Sequence, residues 1–309
     1  MTSRSVLTRK YTPADRVLRY GSGPEHLADL WLGRDTQKAL REQPSPVPLV
    51  IFLHGGFWRA EFGRAHTGPL ATALAGAGFA VCVPEYRRTG QPGGGWPGTF
   101  DDVAAAVGLL PELAAEEAGY RRGFSQIILA GHSAGGHLAL WAASRRPVAA
   151  GPPGPREPRA SAVPSRLAGV VGLAAVSDLA ACYEQNLGDG AAAALMGGGP
   201  LEHPDRYVSA DPAVMVPAGT PVRLLHGTRD DRVPWQQSRD YAARATLSGA
   251  SVTCEFLPGA DHFALIDPLN AVWPQVVAAF RAVVTAAADA AGTAGAAGTA
   301  GRARGAQEP

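Results

Sequence analysis

Lysine is almost absent from this 309-residue chain: only Lys10 and Lys38 carry an ammonium group, and arginine supplies the rest of the positive charge. Neither sign dominates, since 28 Lys and Arg stand against 27 Asp and Glu for a formal net charge of +1. A chain without a long-range field exerts little pull on a phosphate backbone or an anionic lipid surface, so neither nucleic acid nor membrane is an expected partner. Cysteine is scarce as well. Cys82, Cys182 and Cys254 are odd in number and far apart, which fits neither a disulfide framework nor a metal knuckle and points to a reducing compartment. No window approaches the roughly 20 apolar residues that span a bilayer, and the opening MTSRSVLTRKYTPADRV lacks the apolar centre of a signal peptide. The expected location is therefore cytoplasmic.

What is present is a 46% hydrophobic composition, enough to fill a substantial core. Short β-branched runs alternate with Ala- and Leu-rich stretches, the pattern of an α/β fold with a mostly parallel central sheet and helices on both faces. Strands are expected at 26–32, 48–54, 79–86, 126–132, 168–176, 221–227 and 251–259. Helices are expected near 67–77, 100–117, 135–145, 235–248 and 274–289. Residues 1–19 read as an N-terminal extension and 20–290 as one domain, while 291–309, of low complexity with little to bury, read as a disordered tail. Two segments interrupt the rhythm. The proline-rich 146–166 reads as a surface loop, and 178–219, long for a connection, reads as a lid of small helices.

The strand QIILAGH runs into SAGGHLALWAA, so that Gly131, Ser133 and Gly135 form G-x-S-x-G at a strand-to-helix junction. A sharp turn there forces the serine into strained backbone geometry, and side chains in place of the two glycines would collide. The same residues in a plain turn would make Ser133 only a helix N-cap. Their placement between a buried strand and an amphipathic helix favours the nucleophile.

A serine hydroxyl needs an imidazole to take its proton and a carboxylate to fix that imidazole's tautomer. His262, in PGADHFALID after the last strand, is the candidate base; Asp230 or Asp231, in HGTRDDRVP one strand earlier, is the candidate acid. His132 and His137 are too close to Ser133 along the chain to turn toward it. Acyl transfer also needs backbone N–H donors aimed at the oxyanion. Ala134, directly after the nucleophile, is one. The other must come from HGGFW, the loop that follows the strand PLVIFLH.

His54-Gly55-Gly56, Gly131 to Gly136, the Asp230 loop and His262 together resemble the α/β-hydrolase superfamily, over roughly residues 20 to 288. His226, Gly227, Asp230, Val233 and Pro234 match the H-G-x-x-D-x-x-V-P pattern of hydrolases related to prolyl oligopeptidases and carboxylesterases, which puts Asp230 at the acid position. HGGFW resembles both the H-G-G-G box of hormone-sensitive-lipase-like carboxylesterases and the H-G-G-x-W box of kynurenine formamidases. The resemblance implies that Gly56 and Phe57 donate N–H groups beside Ala134, and that His54 fixes the loop. Trp58 matches the formamidase form and is a candidate pocket residue. The segment EYRRTGQPGGGWPGTFDD reads either as a glycine-rich surface loop or, through Trp96 and Phe100, as a substrate-binding wall.

The resulting expectation is a serine hydrolase, without cofactor or metal, cleaving a small ester or activated amide through an acyl-enzyme. A carboxylesterase leads; kynurenine formamidase is the sharper alternative. An aminopeptidase-like serine peptidase and a noncatalytic ligand receptor on the same fold stand further off. The oligomeric state stays open between monomer and homodimer.

Overall fold

Each apolar run expected to form a strand does so in the computed structural model, which describes residues 3–42, 47–124, 126–145, 166–217 and 219–304. The strands are β1 (Arg16–Arg19), β2 (Leu27–Leu32), β3 (Pro48–Leu53), β4 (Ala80–Pro84), β5 (Gln126–His132), β6 (Leu167–Leu173), β7 (Val222–Gly227) and β8 (Val252–Leu257). They form one sheet in the order β1-β2-β4-β3-β5-β6-β7-β8. The β1/β2 and β2/β4 pairs are antiparallel, and every later pair is parallel.

The nine helices found among the described residues are α1 (Arg34–Glu42), α2 (Gly68–Gly76), α3 (Gly98–Glu117), α4 (Ala134–Ser144), α5 (Leu179–Glu184), α6 (Ala191–Met196), α7 (Pro204–Ala210), α8 (Gln236–Leu247) and α9 (Trp273–Arg304). Central strands are buried on both sides because alternate residues serve two cores. In β3, Leu49, Ile51 and Leu53 belong to the core on the α3, α4 and α8 side of the sheet, whereas Val50 and Phe52 belong to the core on the α2 and α9 side; Ile127 and Leu129 against Ile128 and Ala130 repeat this in β5. The parallel strands end together at one edge, where the loops after β3, β5, β7 and β8 meet.

Three readings change. Residues 3–19 do not stand apart: β1 joins the sheet, and a 3-10 helix, Ser3–Thr8, buries Val6 in the α2/α9 core. Helix α1 formed without an expected counterpart; RDTQKALRE has few apolar residues to mark a buried stripe. Helix α9 runs to Arg304, through most of the stretch expected to be disordered, in keeping with the high helix propensity of alanine. Segment 178–219 does carry three short helices, packed on α4 by His137 Nε2 to the Ala210 carbonyl at 2.9 Å and Trp141 Nε1 to the Ser209 carbonyl at 3.0 Å. All but the last residue of the expected loop 146–166 lies outside the described residues. No helix among the described residues is long and apolar enough to cross a membrane.

Candidate active site

The turn from β5 to α4 holds Ser133 at φ 56° and ψ −120°, a conformation that L-residues rarely adopt. The glycines permit it. A Cβ on Gly131 would lie 2.2 Å from the Gly135 carbonyl oxygen, and one on Gly135 would lie 2.0 Å from that of Leu53. The turn is tied to β6 by Ser133 N–H donating to the Leu173 carbonyl at 2.9 Å. Strain at Ser133 is thus fixed by packing on two sides rather than left to relax.

Asp230 follows β7 and is fully enclosed. Its Oδ1 accepts the N–H groups of Arg232 and Val233, each at 2.8 Å. Its Oδ2 accepts from His262 Nδ1 at 2.7 Å and from His226 Nε2 at 3.2 Å. Burial alone would raise the Asp230 carboxyl, but the hydrogen bonds from His226 and His262 outweigh it and hold the group far below the usual carboxylate range. An ionised carboxylate only accepts, so His262 Nδ1 carries the proton and Nε2 is left free to act as a base. His226 is fixed in the same way: Nε2 faces two acceptors, Asp230 and the Val233 carbonyl at 2.9 Å, while Nδ1 accepts from the Ser238 hydroxyl at 2.7 Å. Asp231, by contrast, is 71% exposed at its side chain and meets only Arg232, at 3.6 Å. Of the two candidate acids, Asp230 is the one beside His262.

His132 was set aside on sequence grounds, yet it stands against His262, ring centroids 4.5 Å apart. Its Nε2–H donates to the His262 carbonyl at 2.9 Å, so it bears on the backbone of His262 rather than on the serine. Burial first, and then the neighbouring His262, keep His132 uncharged at neutral pH by lowering its pKa well below the ordinary value.

The loop after β3 approaches this turn closely. A Cβ on Gly55 would lie 3.3 Å from Ser133 Cβ, and one on Gly56 would strike Phe62 at 2.3 Å. Among the described residues, no hydrogen bond engages the N–H of Gly56 or Phe57. Ala134, first in α4, likewise has no partner four residues back. His54 anchors the loop: Nε2 meets Glu85 Oε1 at 2.7 Å, Nδ1 meets the Gly55 carbonyl at 2.9 Å, and the Tyr86 hydroxyl donates to the His54 carbonyl at 2.7 Å. Burial pushes Glu85 up, but His54 and Arg88 more than compensate and bring it to about 2. The segment 85–102 therefore serves as scaffolding, with Arg87 clamping Asp102 through Nε to Oδ2 at 2.9 Å and Nη2 to Oδ1 at 2.6 Å.

Neither tryptophan named as a pocket candidate reaches the cavity. Trp58 is fully buried, its indole N–H donating to the Ala134 carbonyl at 3.2 Å; φ of 49° at Phe57 and 56° at Trp58 turns the second ring inward. Trp96 packs edge-on to Phe100, centroids 5.0 Å apart, and its backbone N–H donates to the Leu195 carbonyl at 2.7 Å. The cavity, of about 90 Å³, is lined by Ser133, His132, His262, Gly56 and His66, and walled by Phe57, Phe62, Phe263 and Leu7. Arg4 and Arg232 complete the lining. None of the described residues of 178–219 lines it. Sequence reasoning missed these wall residues: Phe263 and Arg232 sit next to motif residues and were open to proposal, but nothing in SRSVLT marks it as crossing the catalytic edge. Among the described residues, no group of three or more His, Cys, Asp or Glu could hold a metal.

The model of the family described as BD-FAE matches residues 38–244, more than half of the chain. Esterase LipC of Mycobacterium tuberculosis is 30% identical over 266 residues, covering 84% of this chain and 62% of its own. A kynurenine formamidase of Salmo salar is 24% identical over 258 residues, covering 81% and 75%. The chain thus spans about three-fifths of the length of the mycobacterial relative, at 62%. Among solved structures, esterase B of Lactobacillus rhamnosis superposes with a TM-score of 0.70 at 22% identity, covering 93% of this chain and 91% of that one, a likeness of fold.

Proposed function

The chain belongs to the BD-FAE family, and from that premise we propose that it is a serine hydrolase of the α/β-hydrolase fold that cleaves a short-chain carboxylic ester through an acyl-enzyme on Ser133. The observation that carries the reading is the His262 Nδ1 to Asp230 Oδ2 bond of 2.7 Å, with His262 and Ser133 on one cavity. In the mechanism, Ser133 Oγ attacks the ester carbonyl as His262 Nε2 takes its proton. The N–H groups of Gly56, Phe57 and Ala134 receive the negative charge on the carbonyl oxygen. His262 then returns the proton to the departing alcohol. A water attacks the acyl-serine by the same route and releases the acid.

Cavity size supports a short acyl group. A cavity of about 150 Å³ holds one benzene ring, so the roughly 90 Å³ beside Ser133 suits formyl, acetyl or propionyl rather than an aromatic or long-chain acyl group. The same size keeps a formamide in view as a second substrate class, as does the HGGFW loop. Covalent labelling by a fluorophosphonate, lost in Ser133→Ala, is the expected result, and an unlabelled wild type would sink the reading. Turnover of p-nitrophenyl acetate without turnover of N-formylkynurenine would remove the formamidase.

A further inference from the structure

The cavity that holds Ser133 has a charge its function has not used. Arg4 and Arg232 line it, both exposed at its rim, and among the described residues no carboxylate does. The remaining titratable lining groups add no positive charge at neutral pH at His66 or His132: burial, with His54 as a secondary cause, lowers His66 to about 4, and His132 lies lower than normal for the reason given above.

Resting on the ester hydrolase reading, we propose that the preferred substrate is a short acyl ester whose alcohol portion carries a carboxylate, bound between Arg4 and Arg232. The placement of both arginines is fixed by the fold. Arg232 lies two residues after Asp230, and its own N–H donates to Asp230 Oδ1 at 2.8 Å. Arg4 rides on the 3-10 helix Ser3–Thr8, which is pinned across the catalytic edge in three ways. Val6 is buried, Asn270 Nδ2 donates to Ser3 Oγ at 3.2 Å, and Arg9 Nη2 donates to Asp267 Oδ2 at 2.9 Å.

Neither guanidinium is committed elsewhere. Arg4 has no hydrogen bond or ion pair among the described residues, and the Arg232 contact with Asp231, at 3.6 Å between exposed side chains, is of a kind that contributes little. Asp261, the other nearby acid, is occupied by the N–H groups of Phe263 at 3.1 Å and Ala264 at 2.9 Å. With the acyl group in the small space beside Ser133, the alcohol leaves past Phe57, Phe62 and Phe263. An aromatic alcohol, too large for that space, would lie outside it over the exposed rim, with its anion at the arginines.

The test compares kcat/KM for 4-acetoxybenzoate and 4-acetoxybenzamide, each divided by its spontaneous hydrolysis rate. Wild type is expected to favour the benzoate about fivefold, or about 1 kcal/mol, with the preference shrinking as salt is raised. In the double variant Arg4→Gln, Arg232→Gln the ratio should fall to about 1; because it is a ratio, a general loss of activity cancels. Competition by benzoate against benzamide as inhibitors of wild type gives the same answer without a variant. Turnover of both esters with no charge preference, or a preference unchanged in the double variant, overturns this inference alone. Turnover of neither, together with no fluorophosphonate label, overturns the hydrolase reading and the inference with it.

Discussion

Replacing Asp230 by asparagine separates the two halves of its work. Oδ1 accepts two backbone N–H groups, from Arg232 and Val233, and these hold the loop in shape. Oδ2 accepts from His262 and His226. An asparagine with its carbonyl on the Oδ1 side keeps the first pair and places an NH2 opposite two N–H donors. His262 can relieve that clash only by moving its proton to Nε2, where it can no longer take one from Ser133. The wrong tautomer in a serine triad lowers kcat by about 10⁴, which is about 5 kcal/mol of barrier. His226 cannot adapt in the same way without giving up the Val233 carbonyl, so folding stability should also drop, by about 1 to 3 kcal/mol. Asp231→Asn, at an exposed side chain with one long contact, is expected to change kcat less than twofold and stability by less than about 0.5 kcal/mol. The assay is steady-state hydrolysis of p-nitrophenyl acetate by both variants, with thermal melts. A kcat for Asp230→Asn within tenfold of wild type, or an equal loss in Asp231→Asn, would refute the reasoning.

Two further outcomes follow from buried groups. Burial lowers His137 to about 4, and it is wholly enclosed, with Trp58 and Phe100 edge-on to its ring. The unfolded chain, at about 6.5, therefore takes up the proton first as pH falls; the native state keeps its full advantage above about 6.5 and loses up to about 3 kcal/mol by pH 4. Denaturant midpoints across that window should fall with pH, and His137→Gln should flatten the slope by about one proton; an unaltered slope would remove His137 as the cause. Trp58→Phe deletes the indole N–H to the Ala134 carbonyl and leaves that part of the core less filled, at about 1 to 3 kcal/mol of stability. Because Trp58 does not line the cavity, kcat should fall while KM for p-nitrophenyl acetate stays within about twofold. A change confined to KM would mean that the ring meets substrate after all.

How far the sequence could be read depended on whether each feature was imposed by backbone or by side-chain contact. The sheet order's buried strands, and the turn at Ser133, were legible because β-branched runs and paired glycines leave few other solutions: a Cβ at Gly131 or Gly135 would sit about 2 Å from a carbonyl oxygen, at 2.2 and 2.0 Å. Strand β1 has one buried residue among RVLR, and helix α1, though amphipathic, has only Ala39 and Leu40 as apolar residues, too few to stand out. The same distinction runs through HGGFW. Its backbone role was open to reasoning, since only glycine tolerates the approach to the serine turn. The direction of its two rings was not, because it follows from positive φ at Phe57 and Trp58, which no composition or spacing encodes. That one rotation decides the chemistry of the wall: it places Phe57 at the cavity and sends the larger, hydrogen-bonding ring under α4, where it braces the HGGFW loop against the Ser133 turn. The tryptophan of HGGFW is therefore evidence about how the loop is held, and under the reading proposed above selectivity would fall instead to Arg4 and Arg232.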